Sequence, residues 1–134
     1  MTSPAIADKT ALIIDDQEFV LNIVTKMMER IGFARVETAA DGTEGLERVS
    51  SMHPDVVLCD IAMQPMDGLT FLEQLRTRVD KATRDTPVIF LTSHGRHDLV
   101  AKARELGADG FITKPASVTH LQARIEEAIS GRGA

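Results

Sequence analysis

The sequence predicts an α/β fold, with one parallel β-sheet covered by helices on both of its faces. Short apolar runs alternate with longer segments in which apolar residues recur at spacings of three and four. Runs such as residues 56–59 contain no polar residue, which is typical of strands that helices cover on both sides. Five runs and five helical segments therefore predict a doubly wound, five-stranded parallel sheet with five helices.

The predicted strands are the short apolar runs, and they span 11–15, 34–38, 55–60, 87–91 and 109–113. The predicted helices follow them in alternation and span 17–31, 43–52, about 69–79, 97–106 and 117–130. Residues that end helices or form turns separate these elements, namely Gly32, Asp41-Gly42, His53-Pro54, Asp67-Gly68 and Gly107. The polar stretch 80–85 is predicted to be a loop.

Apolar residues on one side of each helix predict the face that packs on the sheet. In the first helix these residues are Phe19, Ile23, Val24, Met27 and Ile31. The third helix offers Leu69, Leu72, Leu75 and Val79, and the last offers Val118, Leu121, Ile125, Ala128 and Ile129. Right-handed crossovers favour the strand order 2-1-3-4-5, which places strand 1 beside strand 3.

Length and charge limit the possible functions. A chain of 134 residues suits one domain, which we expect over residues 10–131, with a disordered extension at 1–9 and no output domain. The net charge of −5 argues against a nucleic-acid surface. The single cysteine, Cys59, has no partner for an internal disulfide, and no long apolar run indicates a signal or membrane anchor. We therefore expect a cytoplasmic protein.

Polar side chains stand where four of the predicted strands end, and they are Asp15, Asp16, Asp60, Thr92 and Lys114. Because parallel strands end at the same edge of a sheet, we expect these side chains to lie close together. Like-charged carboxylates a few ångströms apart repel each other by about 4 kcal/mol per pair at an effective dielectric of about 20. A divalent cation with oxygen ligands would offset this repulsion and bridge a bound phosphate, and Mg²⁺ is the expected ion.

The same residues suit phosphoryl transfer. An aspartate beside a metal and an ammonium can attack phosphorus and form an acyl phosphate. Asp60 is the expected nucleophile because it ends the central strand. Asp15 and Asp16 would bind the metal, while Lys114 and Thr92 would contact phosphoryl oxygens.

The chain also resembles the receiver domains of response regulators in two-component signalling, over residues 10–130. The resemblance depends on four signatures in order: Asp15-Asp16, the run from Asp60 to Pro65-Met66-Asp67-Gly68, Leu91-Thr92-Ser93, and Lys114-Pro115. It implies a flavodoxin-like sheet and a stand-alone module of the chemotaxis-shuttle kind. It also implies that Asp60 accepts a phosphoryl group from a sensor histidine kinase or a histidine phosphotransfer protein.

Further site roles follow only from this resemblance. Mg²⁺ would be held by Asp16, Asp60 and the backbone carbonyl of Ala62, with Asp15 assisting. Inward movement of Thr92 would be coupled to rotation of Phe111. A downstream protein would then bind the face formed by predicted helix 4, strand 5 and helix 5, and the chain would be a monomer or a phosphorylation-dependent dimer.

Some positions depart from the pattern of the family. Pro65 falls five residues after Asp60, with Gln64 in the usual place of the proline, so the loop is expected to bend differently. Ala116 replaces the bulky aromatic residue that often follows Lys-Pro. Ala62 and His94 occupy the positions that tune the lifetime of the phosphoryl group. Alanine has no group that orients water. His94 is expected to point into solvent and not to orient an attacking water.

Other functions stay open at this stage. The alternatives to a switch are a phosphorelay intermediate and a phosphate sink. A metal-dependent phosphohydrolase with an aspartyl-phosphate intermediate is disfavoured, because Ala62 stands where such an enzyme places its second aspartate. A receiver that binds without being phosphorylated is disfavoured by the presence of all five site residues. Asp16 alone would also suit the N-cap of the first helix.

Overall fold

The computed structural model describes residues 4–93 and 97–133. Its elements in chain order are β1 (Thr10–Ile14), α1 (Glu18–Ile31), β2 (Arg35–Ala39), α2 (Gly42–Met52), β3 (Val56–Cys59), α3 (Gly68–Arg76), α4 (Lys81–Arg84), β4 (Val88–Thr92), α5 (His97–Glu105), β5 (Gly110–Thr113) and α6 (Val118–Gly133). All strand pairs are parallel, and the sheet order is β2-β1-β3-β4-β5. The predicted α/β class and strand order are therefore confirmed.

The described part of the chain contains six helices, one more than the sequence predicted. The additional helix, α4, is a single turn within the stretch 80–85 that was predicted to be a loop. The Thr83 hydroxyl donates to Asp80 Oδ2 over 2.8 Å and thereby lowers the pKa of Asp80. A helix of four residues is too short to show helical periodicity, so the sequence pattern gave no signal for it.

Alternate residues of each central strand face opposite sides of the sheet. Ala11 and Ile13 of β1 pack with α1 and α6, whereas Leu12 and Ile14 pack with α2 and α3. The apolar residues of β3 and β4 are divided in the same way. The core is thus two layers with the sheet between them, because the side chains of a strand alternate in direction.

Three predicted core residues lie on the surface instead. Phe19 and Ile23 of α1 are 63% and 54% exposed, while Val24, Met28 and Ile31 form the buried face of that helix. Val79 was assigned to the third helix, but α3 ends at Arg76 and Val79 is 95% exposed. On α1 the apolar stripe is wider than the surface that the sheet and α6 cover.

Of the N-terminal extension predicted to be disordered, the structure describes residues 4–9, and these form a turn that packs on the core. Residues 4–8 form a turn, and the Lys9 N–H donates to the Ile6 carbonyl over 2.9 Å. Ile6 is fully buried in the layer that contains α1. Burial of one large apolar side chain stabilises such a turn by about 2 kcal/mol, which offsets part of the entropy lost on ordering it.

Arg76 joins three separate segments at the edge of the sheet opposite the carboxyl ends of the strands. Its guanidinium donates to the carbonyls of Arg84, Thr86 and Gly107, at 2.7 to 2.8 Å for the shortest contact to each. It also forms an ion pair of 3.0 Å with Asp109, which accepts from the Val88 N–H as well. The group therefore holds the beginnings of β4 and β5 against the end of α3.

No helix among residues 4–93 and 97–133 has both the length and the apolar character that crossing a membrane requires.

Candidate functional site

The five predicted site residues lie at the carboxyl edge of the sheet, as the strand pattern predicted. Asp15 and Asp16 follow β1, Asp60 follows β3, Thr92 ends β4 and Lys114 follows β5. Sheet hydrogen bonds continue past the strand ends: the Asp60 N–H donates to the Ile14 carbonyl over 3.0 Å, and the Lys114 N–H donates to the Thr92 carbonyl over 2.8 Å. At Asp60 and Lys114 the backbone therefore keeps the hydrogen bonding of the sheet beyond the strand ends.

The three carboxylates form one cluster. One oxygen from each of Asp15, Asp16 and Asp60 lies within 4.8 Å of the others. Asp15 is 2% exposed and Asp60 is 9% exposed, while Asp16 is open to solvent. A small cation therefore has access from the side of Asp16 and can reach two buried carboxylates.

Lys114 offsets part of the negative charge of the cluster. Its Nζ lies 3.1 Å from Asp15 Oδ2, and Asp15 Oδ1 accepts from the Gln17 N–H over 2.9 Å. One ammonium against three carboxylates leaves two negative charges, which matches a divalent cation. The donor set, made only of carboxylate oxygens at this point, fits a hard ion such as Mg²⁺.

Asp16 does not cap α1. The N-cap residue is Gln17, which makes no side-chain capping hydrogen bond. The alternative assignment of Asp16 as a helix cap is therefore wrong. By contrast Asp67 does cap α3, because its Oδ1 accepts from the Thr70 N–H over 2.8 Å.

The loop after β3 holds Asp60 in place. Asp60 Oδ1 accepts from the Ile61 N–H over 2.8 Å, which fixes the orientation of the carboxylate. The Gly68 N–H donates to the Ile61 carbonyl over 2.9 Å, and a Cβ at Gly68 would collide with the Asp60 carbonyl oxygen. The sequence marked Gly68 only as a turn residue and missed this close approach. Ala62 is exposed in the same loop.

Thr92 and Phe111 lie on neighbouring strands. Thr92 is fully buried, and Phe111 is half-buried with its ring 6.3 Å from that of Phe90 in an edge-to-face arrangement. A cavity of about 80 Å³ between α5 and β5 borders Phe111. This space adjoins the ring whose rotation the family resemblance implies, and the switching role stays a prediction. His94 lies outside the described residues.

Cys59 is buried beside the cluster and its Sγ donates to the Asp60 carbonyl over 3.1 Å. Burial raises the pKa of the thiol well above its ordinary value, and the negative charges of Asp60, Asp15 and Asp67 raise it further. The thiol is therefore protonated at neutral pH and shielded from reagents.

We expect Cys59 to resist iodoacetamide at pH 8 in the folded protein and to react within minutes in guanidinium chloride, because only the exposed thiolate is nucleophilic. The measurement is intact mass against time. The pKa of this thiol is higher in the folded protein than in the unfolded chain. The protonated thiol therefore stabilises the fold fully at pH values below the unfolded pKa. This contribution to the free energy of unfolding is lost as pH rises toward the folded pKa. Rapid native labelling would contradict this account.

Comparison with known proteins gives a consistent result. The response regulator receiver domain family matches residues 11–126. A probable chemotaxis protein CheY from Rhizobium etli is 32% identical, with 91% of this chain and 94% of that protein covered. The chemotaxis protein CheY of Treponema pallidum is 35% identical, over 85% of this chain and 78% of that protein.

Solved structures agree with the sequence relatives. The CheY4 chemotaxis protein of Vibrio cholerae superposes with a TM-score of 0.81 at 27% identity, covering 91% of this chain and 99% of the other. A complex of CheX, CheY, BeF3 and magnesium from Borrelia burgdorferi matches with a TM-score of 0.80 at 30% identity, covering 89% and 87%. The chain therefore belongs to the response regulator receiver domain family of two-component signalling.

Proposed function

We propose that this protein is a cytoplasmic phosphorylation switch in which Asp60 accepts a phosphoryl group from a phosphohistidine on a sensor kinase or phosphotransfer protein. The observation that carries the proposal is the convergence of the carboxylates of Asp15, Asp16 and Asp60 with the ammonium of Lys114 at one sheet edge. Membership of the receiver family supports it. The chain catalyses its own phosphorylation and dephosphorylation and turns over no other substrate.

In the proposed reaction a carboxylate oxygen of Asp60 attacks phosphorus, and an O–P bond forms while the P–N bond to the donor histidine breaks. The electron pair of that bond stays on the imidazole nitrogen. Lys114 moves from Asp15 toward a phosphoryl oxygen, and the Thr92 hydroxyl donates to another. These contacts position the group and offset its charge, which is most of what phosphoryl transfer requires.

Mg²⁺ would be held by Asp15, Asp16 and Asp60, with the backbone carbonyl of Ala62, and when bound it would offset charge on the phosphoryl oxygens. The carboxylates that converge here suit this ion. The Borrelia burgdorferi relative was crystallised in a complex with CheX, BeF3 and magnesium, which supports a magnesium site here.

The proposed output is a changed protein-binding face. The burial of Thr92, the half-buried ring of Phe111 and the adjoining cavity support a coupling between phosphorylation and the surface of α5, β5 and α6. These are the elements predicted above as helix 4, strand 5 and helix 5. The partner on this face would be a downstream protein. The Borrelia burgdorferi relative was solved in a complex with another protein, CheX, which supports protein binding in general.

The test is the intact mass of the protein after incubation with Mg²⁺ and acetyl phosphate. We expect a gain of one phosphoryl group that requires Mg²⁺ and is absent in Asp60→Asn, because an amide is not a nucleophile toward phosphorus. The matched control is Asp67→Asn, since asparagine caps a helix as well as aspartate does and Asp67, which caps α3, is not one of the three clustered carboxylates. Rapid donor consumption without an adduct would instead favour a phosphohydrolase.

Magnesium binding has a readout that does not depend on phosphorylation. We expect Mg²⁺ to raise the midpoint of thermal unfolding of the wild-type protein, because a ligand that binds only the folded state stabilises it. Asp16→Asn removes the exposed carboxylate of the cluster and should abolish most of this rise, whereas Asp67→Asn should keep it. An equal rise in all three proteins would exclude the carboxylate cluster as the magnesium site.

A further inference from the structure

One peptide group links the thiol of Cys59 to the carboxylate of Asp60. The thiol donates to the Asp60 carbonyl over 3.1 Å. The same peptide group carries the Ile61 N–H, which donates to Asp60 Oδ1 over 2.8 Å. A series of two hydrogen bonds therefore runs from the sulfur, through the peptide between Asp60 and Ile61, to the side chain that is proposed to accept the phosphoryl group.

The peptide group in this series is rigid. It is planar and trans, so its carbonyl and its N–H point in opposite directions and turn together. A donor that fixes the carbonyl therefore fixes the N–H as well. Because the Ile61 N–H holds one carboxylate oxygen of Asp60, it also sets the direction of the other oxygen. Hydrogen bonds that share one polar group in this way strengthen each other.

The two peptide groups on either side of Asp60 are held by different means. The Asp60 N–H belongs to the first and donates to the Ile14 carbonyl of β1 over 3.0 Å. The second lies beyond the end of β3, and both of its hydrogen bonds go to side chains, those of Cys59 and Asp60. The thiol thus does for the second peptide what the sheet does for the first.

Water has little access to the Asp60 carbonyl. Asp60 is 9% exposed and Cys59 is 1% exposed. Gly68 covers the oxygen so closely that a Cβ at this glycine would overlap it. Within residues 4–93 and 97–133, the Cys59 thiol is the one hydrogen-bond donor to this carbonyl. A side chain without a donor at position 59 would leave the carbonyl unpaired, which is rare for a buried backbone group.

We propose that Cys59 is a positioning residue for phosphoryl transfer: its thiol fixes the peptide after Asp60, and through that peptide the orientation in which the carboxylate attacks phosphorus. This inference rests on the proposed function. Cys59 acts through the peptide and takes no part in the making or breaking of bonds. A nucleophile contributes to the rate only when it is correctly placed, and a small displacement is costly.

Serine and alanine at position 59 separate this role from simple packing. Cys59 lies in the apolar core layer that contains α2 and α3. If the thiol only fills space there, serine should be worse than alanine, because a hydroxyl is costly to bury among apolar groups. If the thiol positions Asp60, serine should be better, since its hydroxyl donates to the same carbonyl. The two roles therefore predict opposite orders for side chains of nearly equal size.

The first measurement is the rate at which acetyl phosphate and Mg²⁺ label the full chain, followed by intact mass. We expect Cys59→Ala to be labelled about tenfold more slowly than the wild type, and Cys59→Ser to stay within about twofold of it. The control is Val57→Ala, which removes apolar volume from the same core layer and alters no donor, so its rate should also stay within about twofold. Thermal unfolding verifies that each variant is folded.

The second measurement uses the wild type and does not depend on phosphorylation. Cys59 is the one cysteine of the chain, so the S–H stretching band of the infrared spectrum belongs to a single group. We expect this band to lie at a lower frequency in the folded protein than in butanethiol dissolved in hexane, because a hydrogen bond to the carbonyl weakens the S–H bond.

Four results would overturn the inference. The first is labelling of Cys59→Ala at the wild-type rate, and the second is labelling of Cys59→Ser as slowly as Cys59→Ala when both are folded. The third is an equal loss in Val57→Ala, which would mean that a loosened core slows the reaction. The fourth is an S–H band at the frequency of the free thiol. Failure to label the wild type would instead count against the proposed function, and the positioning role would fall with it, whereas the infrared band would still report the hydrogen bond.

Discussion

Replacing Gly68 with alanine is expected to destabilise the protein by about 3 kcal/mol or more, at the upper end of what an inserted methyl group costs in a packed site. The new Cβ would overlap the Asp60 carbonyl oxygen and lie 2.9 Å from the Phe90 ring and 3.0 Å from Ile61 Cα. Two of these neighbours are backbone atoms, so the loop that holds Asp60 must shift. Urea unfolding measures the loss, and the rate of labelling by acetyl phosphate should fall with it.

Gly131→Ala is the matched control for this substitution. Gly131 lies in α6 and has no neighbour within 4 Å of an added Cβ. Alanine is the better helix former, so the control should be neutral or more stable by up to about 1 kcal/mol. If Gly68→Ala unfolds at the same urea concentration as the wild type, the close approach of Gly68 to Asp60 does not constrain the loop.

Replacing Arg76 with methionine is expected to cost about 3 to 5 kcal/mol, the range for removing one partner of a buried ion pair. Methionine keeps the length of the side chain but donates no hydrogen bonds. The carboxylate of Asp109 would lose its guanidinium, and carbonyls in the loops before β4 and β5 would lose their donor. Both members of the pair are largely buried, at 15% and 12% side-chain exposure, so water replaces these contacts poorly.

Arg48→Met is the control for Arg76→Met. Arg48 pairs with Glu37 and Glu44 at 3.5 and 3.7 Å, and its side chain is 43% exposed. Exposed pairs contribute between 0 and about 1 kcal/mol, so the midpoint of unfolding should hardly move. Equal losses in the two variants would mean that the Arg76 contacts are no more important to the fold than a surface pair.

The sheet and the carboxylate cluster could be predicted because each depends on a local pattern. Asp15 and Asp60 directly follow apolar runs, and once the runs are parallel strands, their order brings the two carboxylates together. The convergence of the two carboxylates follows from the strand order alone, without any interatomic distance. The same reasoning placed Thr92 and Lys114 at the correct edge, although their proposed chemical roles stay predictions.

Features that depend on tertiary fit could not be predicted. Helical periodicity identified α1 as amphipathic, but it does not state how much of the apolar stripe a neighbouring element covers, so Phe19 and Ile23 were assigned to the core. The guanidinium of Arg76 donates hydrogen bonds to carbonyls in separate loops, and no residue spacing in the sequence predicts these contacts. The approach of Gly68 to the Asp60 backbone likewise appears only when the loop has its final shape.

The hydrogen bond from the Lys114 N–H to the Thr92 carbonyl affects how the sheet would respond to a phosphoryl group. Lys114 and Thr92 are the two residues proposed to bind that group, and the hydrogen bond joins their backbones just beyond the last paired residues of β4 and β5, Thr92 and Thr113. If both side chains bind the phosphoryl group as proposed, a shift of either residue would act on both strands, because this hydrogen bond joins them. Under the proposed function, β4 and β5 would therefore respond to a phosphoryl group as one unit, and Phe111 of β5 would respond with them.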